Sequence, residues 1–126
     1  MIYLKSNTRN TGTSYERKAA EYLEQQGLVI LKHNYRCRQG EIDLIARDKE
    51  YLVFVEVKYR KNNKKGGAAA AVSTAKQKTI SCVADYYMKV HGICADQSVR
   101  FDVVAFDGEE MELIRDAFAY AGNVRF

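Results

Sequence analysis

Four ionisable residues in two neighbouring stretches could do chemistry together. Glu41 and Asp43 lie in Gly40-Glu41-Ile42-Asp43, and Glu56 and Lys58 in Val53-Phe54-Val55-Glu56-Val57-Lys58. Strand side chains alternate, so Leu52, Phe54, Glu56 and Lys58 share one face while Val53, Val55 and Val57 share the other. With a hairpin loop of two or four residues, cross-strand partners sum to 97, which sets Asp43 opposite Phe54 and Glu41 opposite Glu56. All four ionisable residues then fall on one face. The other takes Ile42, Leu44, Ala46, Val53, Val55 and Val57, an apolar surface for a helix to cover.

Carboxylates converging on a mostly apolar sheet repel one another, and their burial is costly unless a cation compensates. A hard divalent ion would do so: Mg²⁺ (or Mn²⁺) prefers oxygen ligands, retains waters, and can bind a phosphate while acidifying a water. Lys58 could position that water or stabilise charge developing at phosphorus. The chemistry this suits is metal-assisted phosphodiester hydrolysis. A Glu-x-Lys pair alone more often marks a salt bridge on an exposed edge. Here the flanking residues are too apolar for such an edge, and Asp43 stands 13 residues before Glu56.

The elements that must hold these residues follow from periodicity and turn signals. Thr13-Ser14-Tyr15-Glu16 has the form of a capping box, and Tyr15, Ala19, Tyr22 and Leu23 continue at helical spacing, predicting a helix to about Gln26. Strands are predicted at Leu28–Leu31, Glu41–Ala46 and Tyr51–Tyr59, the last two joined as a hairpin through the polar stretch 47–50. A long helix with Lys76, Ile80, Val83, Tyr87 and Val90 on one face should end near Gly92, and Ala68 to Ala71 could extend it backwards. Ser98–Phe106 and Met111–Arg115, separated by the turn signal Asp107-Gly108, form a second hairpin. The order is α-β-β-β-α-β-β.

At 126 residues the chain is read as one domain, 1–126, with 1–11 and 119–126 as flexible or accessory ends. No apolar run approaches the ~18–20 residues that cross a bilayer, and the first ten residues carry no apolar signal-peptide core, so the cytoplasm is expected and a membrane is not. Cys37, Cys82 and Cys94 show no zinc spacing, and His33 and His91 stand alone, so a structural zinc or disulfide framework is not expected. The net charge of +4 is unevenly spread: residues 1–94 sum to +8 and residues 95–126 to −4. Lys58, Arg60, Lys61, Lys64 and Lys65, followed by Gly66-Gly67, read as a mobile basic loop suited to a polyanion. The tyrosines at 3, 35, 51, 59, 86, 87 and 120 are too scattered to suggest a base-stacking platform.

Asp43 followed by Glu56-Val57-Lys58 resembles the PD-(D/E)xK signature of restriction-endonuclease-like nucleases. A longer set of residues is similar to the YraN family of small bacterial proteins assigned that fold. It comprises Asn34 to Ala46, Val53 to Arg60, Lys76-Gln77 and Arg100-Phe101-Asp102-Val103-Val104, within a likeness covering about Gly12 to Phe118. The resemblance implies a restriction-endonuclease-like α/β fold, a mixed central sheet flanked by helices. It implies that Asp43 and Glu56 are metal ligands and Lys58 the catalytic lysine. Glu16 matches a first-helix glutamate that related nucleases bring to the site, although as third residue of a capping box it already has a local job. Gln77 matches a helical position that could touch substrate, Glu41 would stand behind the ligands, and Lys76 would bind phosphate or lie beside Ile80. Departures from the family pattern occur at Tyr15, at the Gly66–Ala71 segment and in the tail from Ala119.

The activity expected is a metal-dependent endonuclease hydrolysing DNA phosphodiester bonds, on branched or damaged DNA. The 58–65 loop, including Arg60, Lys61, Lys64 and Lys65, would grip phosphates together with Arg36 and Arg38. Nuclease action on two strands of branched DNA would suit a homodimer, though no residue fixes an interface. The alternatives are a non-catalytic nucleic-acid-binding module, or a subunit of a DNA-processing assembly on the same fold.

Overall fold

The computed structural model describes residues 7–60 and 72–122. Its elements are α1 (Asn7–Gln25), β1 (Val29–Cys37), β2 (Gly40–Asp48), β3 (Tyr51–Arg60), α2 (Thr74–Val90), β4 (Val99–Asp107) and β5 (Glu110–Ile114), in the predicted order. The five strands form one sheet in sequential order, antiparallel except for the parallel pair β3 and β4. A parallel pair needs a crossover, and α2 supplies it.

Both faces of the sheet are buried, as a central sheet flanked by helices requires. Ile42, Ile45, Leu52, Phe54, Phe101 and Val103 pack with Ile80, Val83 and Tyr87 of α2. Leu44, Ala46, Val53, Val55, Val104 and Phe106 pack with Ala19, Ala20 and Leu23 of α1. Central strands covered on both sides read as continuous apolar runs, which is why Leu52 to Val55 has no polar member. Val90, expected on the buried face of α2, is 56% exposed, because the helix's buried stripe runs instead through Ile80, Ser81, Val83, Ala84 and Tyr87.

Three further boundaries differ from expectation. Thr13 does not start α1, which begins at Asn7. Once the turns at Ala19–Leu23 are packed, each added residue gains a hydrogen bond at little cost, and the local capping signal is overrun. Strand β1 extends to Cys37 rather than ending at Leu31, carried by pairing with β2 through a shift between Ile30 and Lys32. Helix α2 starts at Thr74 with the Ser73 hydroxyl accepting the Lys76 N–H at 3.1 Å. The alanines at 68–71 lie outside the described residues.

The segment after β5 is tied back onto the fold. The Ala117 N–H donates to the Phe101 carbonyl at 2.7 Å, Phe118 stacks on Phe101, and the Ala121 N–H donates to the Ser81 hydroxyl at 2.9 Å. Part of the expected accessory end, Ala119 to Gly122, is thereby anchored to α2.

Candidate metal centre

The hairpin that carries the acids turns through two residues, Lys49 and Glu50, with Lys49 at φ 58°. Cross-strand partners therefore sum to 99, not 97: Asp48 faces Tyr51 and Leu44 faces Val55. Continued by one residue, this register sets Asp43 opposite Glu56 instead of Phe54. The backbone ladder stops there. Asp43 Oδ2 accepts the Val57 N–H at 2.8 Å, so a side chain takes the place of a strand carbonyl where β2 and β3 part.

The alternation of β2 also breaks at this point. Ile42 packs on the α2 side, whereas Leu44 and Ala46 pack on the α1 side. The single apolar face expected for Ile42 through Ala46 therefore does not form. Asn34, at φ 52°, interrupts β1 between its partners of Leu44 and Ile42. The four ionisable residues are thus not in a row on one face; they gather at the splayed end of the sheet, between the two helices. Gly40 lets α2 lie close there. It has φ +152°, and a Cβ at this position would stand 2.7 Å from Thr79 Cγ2.

Glu56 is 5% exposed, one of two buried acids among the described residues, the other being Asp102. Their compensation is unequal. Asp102 takes Arg100 Nε at 3.0 Å and Nη2 at 2.9 Å, with the Asp116 N–H at 2.9 Å. Glu56 has Lys76 Nζ at 3.5 Å from Oε2. Burial, then the charge of Asp43, pushes the Glu56 carboxyl up to about 7, with Lys76 and Lys58 working against the rise. Burial likewise raises Asp43, opposed by the Val57 hydrogen bond. The pair holds a proton between its members far more readily than two solvated carboxylates would.

Glu16 joins this group. It lies inside α1 rather than in a capping box, and burial followed by the charges of Asp43 and Glu41 pushes it up to about 7. Glu41 forms an ion pair with Arg36 at 2.9 Å, so both stand beside the acids, linked to each other. Gln77 donates to the Val72 carbonyl at 2.9 Å and closes the entry to α2. Arg38 is exposed at the β1–β2 turn, and Arg60 ends β3. Lys61, Lys64 and Lys65 lie outside the described residues.

Sequence reasoning missed two arrangements. Lys76 reaches Glu56 because it follows Ser73 by three residues at the start of a helix packed over the splayed strands, a placement visible only once α2 is docked. Asp48, Arg100, Asp102 and Arg115 form a second charged cluster at the opposite end of β2, with Arg100 and Arg115 each 2.9 Å from Asp48. The alternating Arg100-Phe101-Asp102 was its one sequence signal. A cavity of about 450 Å³ between α2 and the segment after β5, lined in part by Met88, Phe101 and Phe118, includes none of the candidate site residues.

Among the described residues, no three His, Cys, Asp or Glu side chains already stand as a closed metal-holding group. The donor set fits a hard ion that keeps open positions: two neighbouring carboxylates under-compensated by cations, one with an oxygen committed to a backbone N–H. Soft or borderline metals have no sulfur or imidazole ligand among these residues.

The chain belongs to the uncharacterised protein family UPF0102, whose model matches residues 15–106. That span takes in Glu16, Asp43, Glu56, Lys58 and Lys76. A UPF0102 protein of Lachnoclostridium phytofermentans is 47% identical over 117 residues, covering 93% of this chain and 99% of the relative. One from Aeromonas hydrophila is 49% identical over 108 residues, covering 85% and 83%. One from Syntrophus aciditrophicus is 45% identical over 125 residues, covering 96% and 98%. Among the described residues no helix is long and apolar enough to cross a membrane.

Proposed function

We propose that this protein is a metal-dependent endonuclease of the restriction-endonuclease-like class, hydrolysing DNA phosphodiester bonds at the splayed end of β2 and β3. The observation that carries the reading is the buried, poorly compensated Glu56 beside Asp43, in contrast to the fully bonded Asp102. A strained acid pair is retained at a cost in stability, and such groups concentrate where chemistry is done. Asp43 on β2, with Glu56-Val57-Lys58 on β3, supports the PD-(D/E)xK resemblance.

Asp43 and Glu56 would hold Mg²⁺ or Mn²⁺. When bound, the ion supplies Lewis acidity at the phosphate and lowers the pKa of a water. The Val57 N–H fixes the Asp43 carboxylate, so its second oxygen keeps a constant direction. Lys58 shares its side of β3 with Glu56 and would bring positive charge to the negative charge that develops on the phosphoryl oxygens. Glu16, pushed up to about 7, can take a proton at its carboxyl near neutral pH. Lys76, paired with Glu56, is placed to exchange that carboxylate for a substrate phosphate. Arg36 and Arg38 supply phosphate contacts at the rim.

The Lys76–Glu56 ion pair also favours a second reading, a nucleic-acid-binding module in which a lysine replaces the metal. Incubation of the chain and its Asp43→Ala variant with end-labelled linear, flapped and four-way DNAs, in Mg²⁺, Mn²⁺ and EDTA, separates the two. Cleavage that needs both metal and Asp43 is expected. Retention of DNA without cleavage of any substrate would give the place to the binding module.

A further inference from the structure

The residues next to two of the site's ionisable groups form an aromatic surface. Tyr15 precedes Glu16 on α1, and Tyr59 follows Lys58 on β3. Strand alternation sends Lys58 to the side of Glu56 and α2, and Tyr59 to the side of α1. The Tyr15 and Tyr59 rings meet with centroids 4.7 Å apart, tilted by 31°. Tyr15 in turn meets Phe106 edge-on at 4.9 Å, and Phe106 is buried in the core under α1. Lys18 Nζ lies 6.0 Å from the Tyr15 ring centroid.

Phe106 and Tyr15 thus form a rigid base, yet Tyr59 on top of it stays 45% exposed. A residue needed only to fasten α1 to β3 would be better covered, and an aliphatic side chain would serve. What this arrangement leaves accessible is an aromatic ring, held in place, with Lys18 and the Glu109 carboxylate near Tyr15 and with Glu16 and Lys58 of the candidate site each one residue along the chain from one of the two rings.

We propose that Tyr59, backed by Tyr15, stacks an unpaired nucleobase of the substrate, so that the site takes nucleic acid with a splayed or single-stranded nucleotide beside the phosphate it engages. In an intact duplex both faces of an internal base are stacked on neighbours, and presenting one to a protein ring costs unstacking. Aromatic stacking is indifferent to base identity, so the selection is for strand structure rather than sequence. The proposal rests on the reading of the carboxylate site as one that acts on nucleic acid.

The test uses binding in EDTA, so that it does not depend on cleavage. The ligands are a single-stranded oligonucleotide, an abasic strand of the same length and charge, and a blunt duplex. The chain has no tryptophan, so Tyr59→Trp introduces a lone indole whose fluorescence reports stacking. Quenching by the base-bearing single strand, and little by the abasic strand, is expected. Tyr59→Leu, which keeps apolar cover over Tyr15, should weaken the base-bearing strand by roughly 5- to 100-fold and leave the abasic strand nearly unchanged, while Tyr59→Phe behaves as wild type. Equal weakening of both strands in Tyr59→Leu, or unchanged preference for the base-bearing strand, would overturn the proposal. Base-selective binding without any cleavage in Mg²⁺ would support the platform and remove the nuclease reading; no binding of any strand would overturn the platform and leave the nuclease reading to the metal-dependent cleavage assay.

Discussion

Asp43 on β2 accepts the backbone N–H of Val57 on β3, 14 residues away, at the position where the two strands cease to pair. One side chain therefore does two things. It satisfies a strand donor that the splay would leave open, and it fixes a carboxylate beside Glu56. The same hydrogen bond that caps the opened strand orients one of the two acids proposed to hold metal.

The acid pair predicts how stability depends on pH. Glu56 and Glu16 are both pushed up to about 7, far above an unfolded glutamate. Between pH 4.5 and 7 the folded state therefore binds more protons than the unfolded state, so stability falls as pH rises through that window. The Asp43–Glu56 pair, which shares that proton, accounts for on the order of 3 kcal/mol of this loss. Urea unfolding of the metal-free protein at pH 5 and pH 8 should show the drop. Glu56→Gln should flatten it and be more stable than wild type at pH 8 by about 1–3 kcal/mol. A variant less stable than wild type at pH 8 would mean that the Lys76 pair outweighs the burial of charge.

Removing the cation beside the second buried acid should destabilise the fold. Arg100→Ala leaves Asp102, 0% exposed, without its guanidinium and should cost about 3–5 kcal/mol in urea unfolding. Arg115→Ala removes a more exposed partner of Asp48 and should cost less than about 1 kcal/mol. Burial alone would raise Asp48, but the hydrogen bond and charge of Arg100, with Arg115, hold it below the usual carboxylate range. Its contribution is present above the unfolded value of about 4 and is lost as pH falls through the folded one, so this end of the sheet weakens in acid while the acid pair is relieved.

Gly40 sets how close α2 comes to the acids. Gly40→Ala places a Cβ 2.7 Å from Thr79 Cγ2 in a backbone conformation with φ +152°. Thermal unfolding should show a loss of about 1–3 kcal/mol from the backbone conformation, to which the contact adds. Thr79→Ser in the same background removes the clashing methyl and should recover only the contact part. Full recovery would show that the backbone conformation carries no strain.

These particulars show what a sequence can and cannot carry. Apolar periodicity made the order of elements legible, because Leu52 to Val57 and Ile80 to Tyr87 must be buried whichever way the chain turns. That Glu41, Asp43, Glu56 and Lys58 gather in one place was legible from residue type and spacing, whereas Asp43 and Glu56 as the pair came from the family resemblance. The register was not: a shift of the two-residue turn to Lys49-Glu50 moved Asp43 from Phe54 to Glu56, and a turn's position is a local choice the strands tolerate either way. The β2 break that carries Ile42 to the α2 side lies where Asn34 of a third strand, at φ 52°, stands between the partners of Leu44 and Ile42. Likewise, Tyr15 and Tyr59 are 44 residues apart and meet only after α1 docks, so no local pattern announces their stack.

The proposed activity requires that Asp43 and Glu56 bind a divalent ion. Mn²⁺ titration followed by the electron paramagnetic resonance of the free ion, at pH 8 with a phosphorothioate oligonucleotide present, measures this without requiring turnover. Saturable uptake by the wild-type chain, lost in Asp43→Asn and in Glu56→Gln while both variants remain folded, is the predicted result. Equal uptake by all three proteins, or none by the wild type, would contradict it.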